Sequence, residues 1–197
     1  MKKKLFKNKT QMVIYYIIFF ICIALFIIIG KTDFHKDEDS ESTKFSNLYK
    51  DVQEDNLYIF CNASDVLNIL NSRSGVILMG FPSNIWTSYY ADILNNAAKD
   101  LNIGKIYYYD FRSDRDESNG TYETIVKKLS VYAPVTDEGI QNIMAPTVLI
   151  VKNGSVIAYF DDTAIVRGTV TPDIYYTENQ KALIYNNFKN ALSNYIE

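Results

Sequence analysis

Apolar and polar positions alternate along this chain in three different ways, and each predicts a different kind of structure. From Met12 to Gly30 the chain reads MVIYYIIFFICIALFIIIG without one charge. A helix of that length rises roughly 28 Å, close to the hydrocarbon thickness of a bilayer. From Lys31 to about Lys50 the pattern collapses into charge and serine, with little to bury, which predicts a linker. From Asp51 to Glu197 short apolar runs alternate with helical periodicities.

In that last part, Leu57 to Phe60 predicts a strand. Ser64 then serves as N-cap of a short helix carrying Val66, Leu67, Ile69 and Leu70. Val76 to Gly80 is a buried central strand by its unbroken apolar character. Tyr90, Ile93, Leu94, Ala97, Ala98 and Leu101 recur at helical spacing and predict a helix from Trp86 to Leu101. Lys105 to Asp110 is the next strand, and Phe111 to Gly120 a polar loop. Ile125, Val126, Leu129 and Tyr132 mark a helix from Thr121 to Tyr132.

Thr147 to Val151 and Val156 to Phe160 flank Asn153-Gly154, a strong hairpin signal. Thr177-x-x-Gln180 opens a terminal helix with a capping pattern, and Leu183, Ile184, Phe188, Ala191, Leu192 and Tyr195 form its expected buried stripe. Strands alternating with helices imply parallel pairing, and the late hairpin adds antiparallel strands. The expected class is therefore α/β, with a mixed sheet flanked by helices.

Charge settles the topology of the amino end. Lys2, Lys3, Lys4, Lys7 and Lys9 precede the apolar run, and the first acid is Asp33. The positive-inside rule places residues 1–11 in the cytoplasm, makes residues 12–30 a single-pass anchor, and puts residues 31–197 outside the cell membrane. A cleaved signal peptide fits less well, because the run exceeds the usual ~7–15 residues and Ile27-Ile28-Ile29 offers no small-x-small site. From Lys31 onward 15 basic residues face 23 acidic ones. Such a domain repels phosphate backbones, so no nucleic-acid partner is expected.

Candidate chemistry is sparse. His35 is the single histidine, which excludes a two-histidine metal site and leaves no base for a serine triad. Neither a metal nor a cofactor is expected. Of the two cysteines, Cys22 falls in the anchor and Cys61 in the outer domain. The Asn, Ile, Lys and Tyr bias fits a low-GC bacterium.

The segment Gly80-Phe81-Pro82-Ser83-Asn84-Ile85-Trp86-Thr87 follows the central strand, and Met144-Ala145-Pro146-Thr147-Val148 precedes the hairpin. In this order the two resemble the active-site and cis-proline segments of bacterial thioredoxin-like proteins whose motif is C-P-W-C. The resemblance spans roughly Tyr58 to Phe160 and implies a thioredoxin-like fold over residues 51–197. Residue by residue, Asn84 and Thr87 take the places of the nucleophilic and resolving cysteines, Ile85 that of the proline, and Trp86 keeps the tryptophan. Thiol–disulfide exchange needs a thiolate, which neither an asparagine nor a threonine supplies.

The resemblance thus implies a non-catalytic module without redox activity, serving an extracytoplasmic polypeptide or membrane protein as binding or accessory partner. The Ala145-Pro146 bond is expected to be cis, either only shaping the sheet or leaving backbone groups at Ala145 for a partner strand. Trp86, Ala145, Pro146 and Thr147 are the expected peptide contacts, although Trp86 could equally pack onto the domain. The alternative is an oxidoreductase acting through Cys61 with a partner's cysteine, and it requires an accessible thiol of low pKa.

Overall fold

The computed structural model describes residues 40–135, 139, 142–161 and 170–197. The expected cytoplasmic tail, the membrane span 12–30, Cys22 and His35 lie outside the described residues. Among the described residues no helix is long and apolar enough to cross a membrane.

The elements in chain order are α1 (Glu41–Leu48), β1 (Tyr58–Phe60), α2 (Ala63–Ser72), β2 (Gly75–Gly80), α3 (Ile85–Asp100), β3 (Ile106–Asp110), α4 (Arg112–Asp116), α5 (Gly120–Leu129), β4 (Thr147–Lys152), β5 (Ser155–Phe160), α6 (Pro172–Tyr175) and α7 (Glu178–Ile196). The five strands form one sheet in the order β1-β3-β2-β4-β5. β3 pairs parallel with both β1 and β2, whereas β4 runs antiparallel to β2 and β5 antiparallel to β4. The mixed α/β class expected from the pattern is what the chain forms.

β2 lies at the centre and is buried along its whole length, which is why Gly75–Gly80 carries no polar side chain. One face of the sheet packs Leu78, Val148 and Ile150 against α1, α3 and α7. The other packs Ile77, Met79, Leu149 and Val151 against α2 and α5. The β4–β5 turn uses Asn153 at φ 50° and Gly154 at φ 79°, the left-handed pair that a two-residue hairpin requires. A Cβ on Gly154 would also stand 2.8 Å from the Asn71 carbonyl oxygen.

Both sheet edges are blunted. The Phe60 N–H of β1 donates to the Glu41 carboxylate at 2.8 Å. Along β5, Ala158 pairs with Ile150 and Val156 with Val151. Ile157 is therefore an extra, unpaired residue, a bulge that bends the strand away from further pairing.

Four expectations need correction. Residues 31–50 do not form one linker, because Glu41–Leu48 is helical and belongs to the core. Phe45 is fully buried there and stacks on Tyr58 at 3.9 Å between ring centroids. A single aromatic among charged neighbours is enough to dock a helix, and composition averages it away. The N-cap of α2 is Asn62 rather than Ser64. Its side chain accepts from Asp65 N–H while the Asp65 carboxylate accepts from Asn62 N–H, a reciprocal pair that outcompetes a lone serine. The loop 111–120 contains the short helix α4, closed by Asn119 as the cap of α5. In α7 the buried stripe is Ile184, Phe188 and Leu192, while Leu183 faces solvent.

Candidate functional site

The segment singled out after the central strand forms a short loop, Phe81 to Asn84, and the first turn of α3. Gly80 closes β2 where the helix crosses it. A Cβ there would meet Thr87 Cγ2 at 2.6 Å, so the close approach of helix and strand depends on glycine. The loop is pinned from one side by two arginines. Arg112 and Arg115 lie over the Phe81 ring at 5.7 and 5.3 Å, and Arg112 Nη1 donates to Ser83 Oγ at 2.6 Å.

Asn84 is the N-cap of α3, and its carboxamide is used at both ends. Oδ1 accepts from Trp86 N–H at 3.0 Å, satisfying a donor that the helix start leaves open. Nδ2 donates to the Ala145 carbonyl at 2.9 Å. That carbonyl belongs to the Ala145-Pro146 bond, which is cis. The fold therefore brings the loop after β2 against the segment before β4, although the two are 61 residues apart in sequence. Pro146 and Thr147 are buried, and Thr147 Oγ1 is spent on the Met144 carbonyl at 2.6 Å.

Thr87 sits one turn into the helix and is completely enclosed. Its hydroxyl finds no hydrogen-bond partner among the described residues. Nearby, the buried Tyr49 and Tyr108 hydroxyls bond each other at 2.7 Å. Burial pushes both phenols well above the ordinary tyrosine range, so they stay protonated at any physiological pH. Among the described residues no base is hydrogen-bonded to the enclosed Thr87 hydroxyl, as activation of a threonine nucleophile would require.

Trp86 is half-buried and packs against the core. It lies edge-on to Tyr175 at 5.4 Å and tilted against Tyr176 at 5.7 Å, while Tyr89 stacks on Tyr176 at 4.9 Å. These rings fasten α6 to the first two turns of α3. Trp86 and Asn84 thus serve opposite sides of the helix start. The tryptophan holds the 171–176 segment, and the asparagine holds Ala145.

Beside the Asn84 cap runs an open groove of about 470 Å³. Its floor is Pro82, Asn84, Ile85, Ser88 and Tyr89. One wall is Leu48 to Asp51, tied to the floor by a Ser88 hydroxyl that donates to Asp51 at 2.8 Å; the other is Thr171 to Asp173. Ile85 and Leu48 stand exposed at its rim. Neither wall was foreseen from the sequence. The usable signal was the aromatic pair Phe45 and Tyr49, four residues apart and so on one helical face within the supposed linker.

Cys61 lies apart from this groove, at the end of β1, partly buried among the residues of the opposite sheet face. Burial, with Asp65 nearby, pushes its thiol up to about 12. Against the ordinary thiol value of 9.0, that leaves roughly a thousandfold less thiolate at neutral pH. In a Cys22→Ser chain, iodoacetamide is expected to label Cys61 at least ~100-fold more slowly in buffer than in 8 M urea. Comparable rates would restore Cys61 as a reactive thiol. Among the described residues no group of three or more histidine, cysteine or acidic side chains could hold a metal ion. No protein-family model and no curated protein matches this chain.

Proposed function

We propose that the chain is a thioredoxin-like protein that has given up thiol–disulfide chemistry and binds extended polypeptide in the groove at the start of α3. The observation that carries this reading is the fate of the two positions that the resemblance assigns to cysteine. Asn84 is a capping carboxamide bound to Ala145 that lines an open groove with an apolar rim, and Thr87 is an enclosed hydroxyl one turn further along the helix.

The strand order, with a parallel half and an antiparallel hairpin, supports the fold assignment, as does a cis-proline facing the helix start. The uncharged run 12–30 with its preceding lysines supports a membrane tether with the domain outside the cytoplasm. An open, mainly apolar groove between pinned walls suits an extended chain offering apolar side chains. No step of bond making or breaking is assigned to it.

The test uses the full chain in nanodiscs and a permanently unfolded probe, fluorescein-labelled, reduced and carbamidomethylated α-lactalbumin, at 0.3 M salt. Fluorescence anisotropy is expected to report saturable binding. Ile85→Arg, a change at an exposed groove position, is expected to weaken it at least ~10-fold by placing a charge on the apolar rim. Absence of binding, or binding indifferent to Ile85→Arg, overturns the reading.

A further inference from the structure

The ladder between β2 and β4 runs from Gly75 opposite Val151 to Met79 opposite Thr147 and stops there. Ala145 lies two residues past its end, half-buried, with no strand paired to it among the described residues. A backbone carbonyl in that position is an acceptor waiting for an extended neighbour. Its donor in this chain is Asn84 Nδ2 at 2.9 Å. The other end of the same carboxamide accepts from Trp86 N–H.

We infer that Asn84 is an intramolecular latch: it lines the groove and occupies the Ala145 carbonyl beside it in the free protein, and a polypeptide that extends from the groove to pair with that backbone displaces it. This rests on the proposed use of the groove and adds a regulation to it. The latch is a single neutral hydrogen bond at a half-buried side chain, so it is weak enough to open. Its cost falls on every client equally and sets a threshold, which excludes segments that bring too little apolar surface to the Leu48–Ile85 rim.

Asn84→Asp separates latch from cap. An ionised aspartate is as good an N-cap as asparagine, but it accepts only and has nothing to donate to Ala145. Asn84→Ser is the uncharged counterpart, also a good cap and too short to span to Ala145. Both full-length variants are measured in nanodiscs with the carbamidomethylated α-lactalbumin probe at 0.3 M salt. Each is expected to bind roughly 3- to 10-fold more tightly than the parent chain, the net worth of one such bond. The added negative charge works against an acidic probe, so tightening by Asn84→Asp cannot come from charge. Equal or weaker binding by both variants, with binding by the parent intact, overturns the latch and leaves the groove standing. Failure of all three chains to bind overturns the groove itself, and the latch with it.

Discussion

Truncating Phe45 to alanine is expected to cost about 3–5 kcal/mol of unfolding free energy, the range for an aromatic removed from a packed core. The ring is fully buried, stacked on Tyr58, and edge-on to Tyr108 at 5.0 Å. It is the one residue of α1 that reaches the core. Its loss also releases the helix whose C-terminal end supplies a groove wall through Leu48 to Asp51. Urea unfolding of the parent and Phe45→Ala chains reads the cost, and probe binding reads the second effect. A loss under about 1 kcal/mol would return residues 41–50 to the status of a tether.

A gain of function is expected from Asn84→Cys combined with Thr87→Cys. Position 84 caps a helix of 16 residues. Its unpaired N–H groups and dipole lower a thiol pKa and hold a thiolate ready at neutral pH. Position 87 lies in the same first turn, its N–H bonded to the Asn84 carbonyl at 3.0 Å. The second thiol is therefore placed to resolve a mixed disulfide. The parent chain is expected to leave insulin disulfides intact in the presence of dithiothreitol. The double variant is expected to accelerate their reduction at least ~10-fold over the reductant alone. A parent chain already active would point to Cys61 instead, and a folded but inert double variant would mean that more than two residues separate this site from redox chemistry.

Much of the sheet was legible because its strands obey simple rules. Gly75–Gly80 is apolar without interruption, and Asn153-Gly154 demands a tight hairpin. The amphipathic helices α3 and α5 declared themselves by period. What escaped notice depended on single contacts. Phe45 turns a polar stretch into a core helix, and Asn62 takes the cap from Ser64 through its reciprocal bond with Asp65. The site was half legible. Order along the chain pointed to Asn84 through Thr87 and to Ala145-Pro146. It could not say that the Asn84 carboxamide bridges the two, since a bond across 61 residues leaves no periodic trace. Nor could it choose between an exposed and a packed Trp86, because both keep the same residue at the same spacing.

The closed edges of the sheet bear on how the protein meets others. With Glu41 covering β1 and a bulge interrupting β5, neither outer strand offers a clean ladder. Association is then left to helix faces and grooves.

The packing of Trp86 has an optical consequence. It is the sole tryptophan of the chain, and it rests on the two tyrosines that end α6. Its emission therefore reports on that contact alone, without labels. Anything that lifts the 171–176 segment from α3 wets the indole and reddens the spectrum. Anything that merely fills the groove while leaving the segment seated does not. The protein carries a built-in fluorophore that distinguishes opening of its groove from occupation of it.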